Sequence, residues 1–135
     1  MLQPKSEPVL LDKEPPPKKY EFVGHHLTAV YSGCNPESLR DAEGLAAAMK
    51  AAVHATGATL LNSMVHLFEN GGLTMLLLLA ESHASIHTYP ECNACFVDFF
   101  TCGNSCVVEN SDPVMRKYLQ PQNAHCQIVV RDGAS

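Results

Sequence analysis

The sequence predicts an α+β fold, a two-layer sandwich with a mainly antiparallel sheet and helices on one face. Three observations carry that expectation. Consecutive β-forming segments are joined by short turns, helical segments carry apolar faces, and a length of 135 residues is that of one ordinary domain. With 46% hydrophobic and 17% charged residues, the chain has enough apolar material for one core.

Residues 1–19 read as a flexible arm, because the run Pro15-Pro16-Pro17 between charged residues neither donates ladder hydrogen bonds nor continues a helix. The domain itself is expected over 20–135. Tyr20 to Ser32 is rich in β-formers (Phe22, Val23, Leu27, Val30, Tyr31) and stops at Gly33, as a strand does. Asn35-Pro36-Glu37 then offers an N-cap, a proline for the first helical position and an acid for the helix dipole, and Gly57 offers a stop. One helix is expected between them, with Leu39, Ala42, Ala46, Met49 and Val53 lining its apolar face.

Two apolar strands follow, about Thr59 to Phe68 and Leu73 to Ala80, joined by Glu69-Asn70-Gly71-Gly72, whose Asn-Gly step suits a tight turn. Further strands are expected over His83 to Tyr89, ending at Pro90, and over Cys95 to Cys102. Asp112-Pro113 caps a short helix to about Leu119, and Gln127 to Val130 makes the last strand. The expected order is β-α-β-β-β-β-α-β.

Charge and hydropathy narrow the function. Nine basic residues against fourteen acidic ones, a net charge of −5, lack the positive field that nucleic acid or an anionic membrane surface calls for. The longest apolar run, Leu73 to Ala80 with Thr74 inside it, is far short of the roughly 20 residues of a membrane span. The amino terminus lacks the apolar stretch of a secretory signal, so a cytoplasmic protein is expected. In that reducing compartment Cys34, Cys92, Cys95, Cys102, Cys106 and Cys126 read as thiols, ligands or catalytic groups rather than as a disulfide framework.

Chemistry concentrates in Glu81-Ser82-His83-Ala84-Ser85-Ile86-His87-Thr88-Tyr89-Pro90-Glu91, which sets two serine hydroxyls, two imidazoles and two carboxylates beside the most apolar strand. Each polar group buried there needs a partner, so such crowding marks either a functional site or a polar hairpin facing water. Alternation puts His83, Ser85 and His87 on one face of an extended strand. By composition alone, Phe68 reads equally as core packing, Cys102 as a buried structural thiol and Glu91 as a solvated turn residue.

Glu81 to Glu91, followed by Phe96-Val97-Asp98-Phe99-Phe100-Thr101-Cys102-Gly103, resembles the S-adenosylmethionine decarboxylase proenzymes of the short prokaryotic type. The resemblance covers about Phe22 to Gly103 well and the C-terminal third loosely. It implies self-cleavage between Glu81 and Ser82, with Ser82 becoming a pyruvoyl cofactor. In that scheme His87 is the processing base, Cys102 the proton donor in turnover, and the pyruvoyl carbonyl forms a Schiff base with the substrate amine, an electron sink for decarboxylation.

The resemblance further assigns Phe68 to stacking on adenine, Glu91 to the ribose hydroxyls and Thr74 to processing or substrate placement, with Tyr89 beside the pocket; His83 and Ser85, on one strand face with His87, are placed as support. It implies S-adenosylmethionine as substrate, a place in spermidine and polyamine biosynthesis, and a homodimer whose pockets draw on both protomers. The family usually has tryptophan at the place of Tyr89, and a glycine-aromatic-alanine run at the place of Cys92-Asn93-Ala94-Cys95. These departures keep ornithine or arginine as an alternative substrate class. Of another class is a zinc module built from Cys92, Cys95, Cys102 and Cys106 with His125 and Cys126; the main reading needs no metal.

Overall fold

Strands that alternate apolar and polar residues need an apolar layer on one side only, and three helices supply it here. The computed structural model describes residues 21–133, so the arm expected at 1–19 lies outside the described residues. Along the chain β1 (Val23–Ser32) leads to α1 (Pro36–Arg40) and α2 (Ala42–Thr56). Then come β2 (Leu60–Leu67), β3 (Leu73–Leu79), β4 (Ser82–Tyr89) and β5 (Ala94–Cys102), and α3 (Ser111–Leu119) precedes β6 (Asn123–Asp132). The strands form one sheet in the order β2-β3-β4-β5-β1-β6, with every neighbouring pair antiparallel. This is the α+β two-layer architecture expected.

The core lies between sheet and helices. Leu27, Met75, Leu77, Ile86 and Phe99 on the sheet face Leu45, Met49, Met115 and Leu119 on the helices, all of them buried. Each such side chain contributes about 1.5–3 kcal/mol by leaving water. Among the described residues, no helix covers the opposite, outer face of the sheet, which exposes Met64, Leu76, Leu78 and Phe96.

Two elements differ from expectation. The single helix expected between Asn35 and Gly57 is broken at Asp41, whose extended backbone and side-chain acceptance from the Gly44 N–H make it the N-cap of α2. The break rotates the buried face of α2 to Leu45, Ala48, Met49, Ala52 and Val53, leaving Ala42 and Ala46 only partly covered. The last strand is ten residues long rather than the four of Gln127 to Val130, because backbone pairing with β1 along its whole length needs no apolar alternation.

A polar network pins α3 to the sheet. The buried Tyr31 hydroxyl donates to Asp112 Oδ1, and Arg116 Nε donates to both Asp112 oxygens at 2.9–3.0 Å. Burial first, then the Asp112 carboxylate, pushes the Tyr31 phenol far above its ordinary value. Burial alone raises the Asp112 carboxyl, but the hydrogen bonds from Tyr31, Arg116 and Cys126 together with the Arg116 charge outweigh it and hold it low.

Candidate active site

The connection between β3 and β4 is only Ala80 and Glu81, so Glu81 is drawn into the sheet end and is 3% exposed. A carboxylate placed there needs donors. The Thr59 backbone N–H supplies one to Oε1 at 2.9 Å, and the Thr59 hydroxyl lies 3.5 Å from Oε2. The Glu81 carbonyl oxygen accepts from the Cys102 N–H at 3.0 Å. That donor polarises the carbonyl of the 81–82 peptide.

Ser82 opens β4 with φ of 148°, a positive value that costs a side-chain-bearing residue about 1–3 kcal/mol. By register it belongs to the core-facing row with Thr101 and Leu79. Its hydroxyl nevertheless lies 3.2 Å from the Cys102 sulfur, which is on the outer face. Gly24 is opposite Cys102 across β1, where a Cβ would strike the Phe100 ring. Ser82, the Glu81 carbonyl and Cys102 thus form one tight group at one end of β4.

The other expected residues gather at its opposite end. Phe68, Thr74, His87, Tyr89 and Glu91 line a cavity of about 400 Å³, together with Asn70 and Gly72 of the β2–β3 turn. Thr74 pairs with His87 in register, and its hydroxyl lies 3.1 Å from His87 Nδ1. The Phe68 ring meets His66 edge-on at 4.6 Å, and Tyr89 meets Phe96 in the same way at 5.5 Å. Glu91 sits in a one-turn 3₁₀ segment (Pro90–Cys92) and accepts from Asn70 Nδ2 at 3.4 Å. Five residues of strand, about 16 Å, separate Ser82 from His87 within one chain.

His83, Ser85 and His87 share the outer face, as alternation requires. Ser85 donates to Asp98 Oδ1, His26 Nε2 lies 2.7 Å from Asp98 Oδ2 and His83 Nε2 3.6 Å from it. Reading the sequence missed His26, Thr59, Asn70 and Asp98. Only Asp98 left a signal, as the single charge inside the apolar strand Phe96 to Phe100.

The cysteines do not assemble a zinc site among the described residues. Cys95 and Cys102 stand near opposite ends of a nine-residue strand, Cys92 is exposed and Cys126 neighbours Asp112. Hydrogen bonding to Cys34, then burial, raises the Cys95 thiol well above its ordinary range, the reverse of what a ligand needs. Sequence spacing alone had grouped residues that the strand holds apart. No helix among the described residues is long and apolar enough to cross a membrane.

A family model described as S-adenosylmethionine decarboxylase matches residues 25–132. The S-adenosylmethionine decarboxylase proenzyme of Thermosipho melanesiensis is 38% identical over 103 residues, covering 76% of this chain and 79% of that one. The proenzyme of that name from Parasynechococcus marenigrum is 44% identical over 101 residues, covering 75% and 79%. A crystal structure of adenosylmethionine decarboxylase from Aquifex aeolicus superposes with a TM-score of 0.76 at 27% identity, covering 85% of this chain and 95% of that one. A match across most of the described domain, reached independently by sequence and by fold, means that the chain belongs to the S-adenosylmethionine decarboxylase family.

Proposed function

We propose that this protein is a self-cleaving, pyruvoyl-dependent decarboxylase of S-adenosylmethionine that serves polyamine biosynthesis in the cytoplasm, where its six thiols stay reduced. One observation carries the proposal. Ser82 is held at φ 148° with its hydroxyl 3.2 Å from the Cys102 sulfur, next to a carbonyl that already accepts the Cys102 N–H.

That geometry suits an N-to-O acyl shift. Ser82 Oγ attacks the Glu81 carbonyl carbon, the Cys102 N–H stabilises the oxyanion, and the C–N bond breaks as its nitrogen takes the proton. The Ser82 Cα proton then leaves to a base, and the ester C–O bond breaks to give a Glu81 carboxylate and a dehydroalanine at 82. Tautomerisation to the imine and addition of water release ammonia and leave the pyruvoyl end. When formed, that group supplies the electrophilic carbonyl on which a substrate amine is activated for loss of CO2. Cys102, 3.2 Å from the Ser82 oxygen, is positioned to return a proton to the substrate.

Phe68 offers a stacking face and Glu91 a carboxylate suited to vicinal hydroxyls, while their aromatic and anionic character also suits a sulfonium cation. Because His87 and its cavity stand about 16 Å from Ser82 along β4, one chain leaves each half of the site incomplete. We take the exposed outer face to be covered by a second copy. A two-fold axis in the interface plane, perpendicular to the strands, sets the Ser82 end of one β4 against the cavity end of the other. The partner's His87 then serves Ser82.

The test is a denaturing mass measurement on purified protein, with assays of CO2 release from S-adenosylmethionine, ornithine and arginine. Two chains divided at 81–82 and turnover of S-adenosylmethionine are expected; an active uncut chain, or turnover of an amino acid in its place, overturns the reading. Ser82→Ala and His87→Ala are each expected to stay uncut alone. Co-expressed, they are expected to give cleavage of the His87→Ala chain only, and no cleavage in the mixed dimer refutes the shared site.

A further inference from the structure

We infer that Asp98 is a positioning residue that clamps the strand end freed by cleavage, so that residue 82 stays beside Cys102 once the 81–82 peptide is gone. The inference rests on the proposed self-cleavage and concerns the state of the chain after the cut. Ser82 and His83 open β4, and once cleaved they are a chain terminus, where backbone frays unless it is tied down. Pairing with Leu79 and Thr101 holds their main chain from the two sides. A residue whose reacting carbon must stay within reach of a proton donor needs side-chain restraint as well, since a displacement of about 1 Å costs as much as 100-fold in rate.

Asp98 lies on β5, between β1 and β4, and its two oxygens span three strands. Oδ2 meets His26 Nε2 of β1 at 2.7 Å and faces His83 Nε2 of β4 at 3.6 Å, while Oδ1 accepts from Ser85 of β4. Of the two outer-face residues nearest the new terminus, Ser85 is therefore bonded to this carboxylate and His83 faces it. The His83 ring also packs on Phe100 with centroids 5.6 Å apart and edge-on against His26 at 6.1 Å. Arg131 closes the group from β6, 4.3 Å above the Phe100 ring and 3.5 Å from His26 Nδ1.

The three ligand-type atoms of His26, His83 and Asp98 lie within 4.8 Å of one another, a spacing that a divalent ion can bridge. Both carboxylate oxygens are already hydrogen-bonded, however, and the Arg131 guanidinium holds the cationic place beside His26. An apolar residue at 98 would avoid the desolvation cost of a half-buried carboxylate. What only a carboxylate supplies is simultaneous acceptance from a fixed strand and from the freed one. Asp98 does not line the cavity of Phe68 and Glu91, so substrate binding is not its task.

Asp98→Asn keeps the shape but replaces one acceptor with a donor. In the processed full-length protein we expect two chains as in the parent, KM within about twofold, kcat lower by about tenfold or more, and faster amide exchange over 83–86 with β2, which does not touch β4, unchanged. Ser85→Ala is expected to move kcat and exchange in the same direction by less, and it carries the test if Asp98→Asn does not process. A kcat within twofold of the parent, or a kcat loss without faster exchange at 83–86, overturns the inference. An uncut parent instead sinks the self-cleavage reading on which it rests.

Discussion

The strain at Ser82 is measurable apart from catalysis, because Ser82→Ala and Ser82→Gly both remove the nucleophile and both should remain single chains. Alanine inherits the positive φ of 148° and its cost, about 1–3 kcal/mol. Glycine adopts that backbone freely but loses about 0.5–1 kcal/mol more conformational entropy on folding. The difference leaves glycine the more stable variant by about 1 kcal/mol, with a range from about zero to about 2.5. For a domain of roughly this size, 1 kcal/mol moves Tm by about 4 °C. Paired thermal or denaturant unfolding of the two variants, with their intact mass verified first, reads that gap directly. If Ser82→Gly unfolds at or below the temperature of Ser82→Ala, the peptide is not strained in the ground state, and the account of why this bond breaks loses its main physical support.

The same geometry yields two further outcomes. Cys102→Ala retains the backbone N–H that polarises the Glu81 carbonyl but loses the thiol, so it should cleave yet lower kcat by at least about 100-fold; a kcat within tenfold of the parent removes the proton-donor role. Asp112→Asn probes the α3 network through pH. The folded Asp112 carboxyl is held below its unfolded value, so its stabilisation is complete above about pH 5 and is lost as pH falls through the lowered folded value. The asparagine variant should therefore unfold at lower denaturant than the parent at pH 7, with the gap closing as pH falls below the ordinary carboxylate range and through the lowered folded value. A gap independent of pH refutes the assignment.

The fold class was legible because its signals are local: Asn-Gly at the β2–β3 turn, proline at the starts of α1 and α3, and alternation along β4. The break at Asp41 was less so, since an N-cap inside an apolar 3.6-residue pattern looks like one polar residue on a helix face. β6 was half hidden because an edge strand is recruited by the backbone of β1, which leaves little trace in side-chain type. At the site, the motif and the resemblance named all the residues of one site, and the fold sets Ser82 and Cys102 at one end of β4 and Phe68, Thr74, His87 and Glu91 at the other. Their separation along β4 was invisible, because spacing in sequence carries no information about which end of a strand faces a partner.

The place of the proposed cut explains how a chain can break its own backbone without unfolding. Ala80 and Glu81 merely connect β3 to β4, and each strand is paired on both sides without them: β3 with β2 and β4, β4 with β3 and β5. Opening so short a turn gives up a local closure and no core contact. Each new end is also anchored. On one side Thr59 binds the buried Glu81 side chain through N–H and hydroxyl; on the other, Asp98 accepts from Ser85 and faces His83. A strained residue placed in a longer loop would be free to relax, and one in the middle of a strand would forfeit ladder pairing on cleavage. At the sheet end, between two polar anchors, the strain stays focused on one peptide, and the product terminus is held where the reaction needs it.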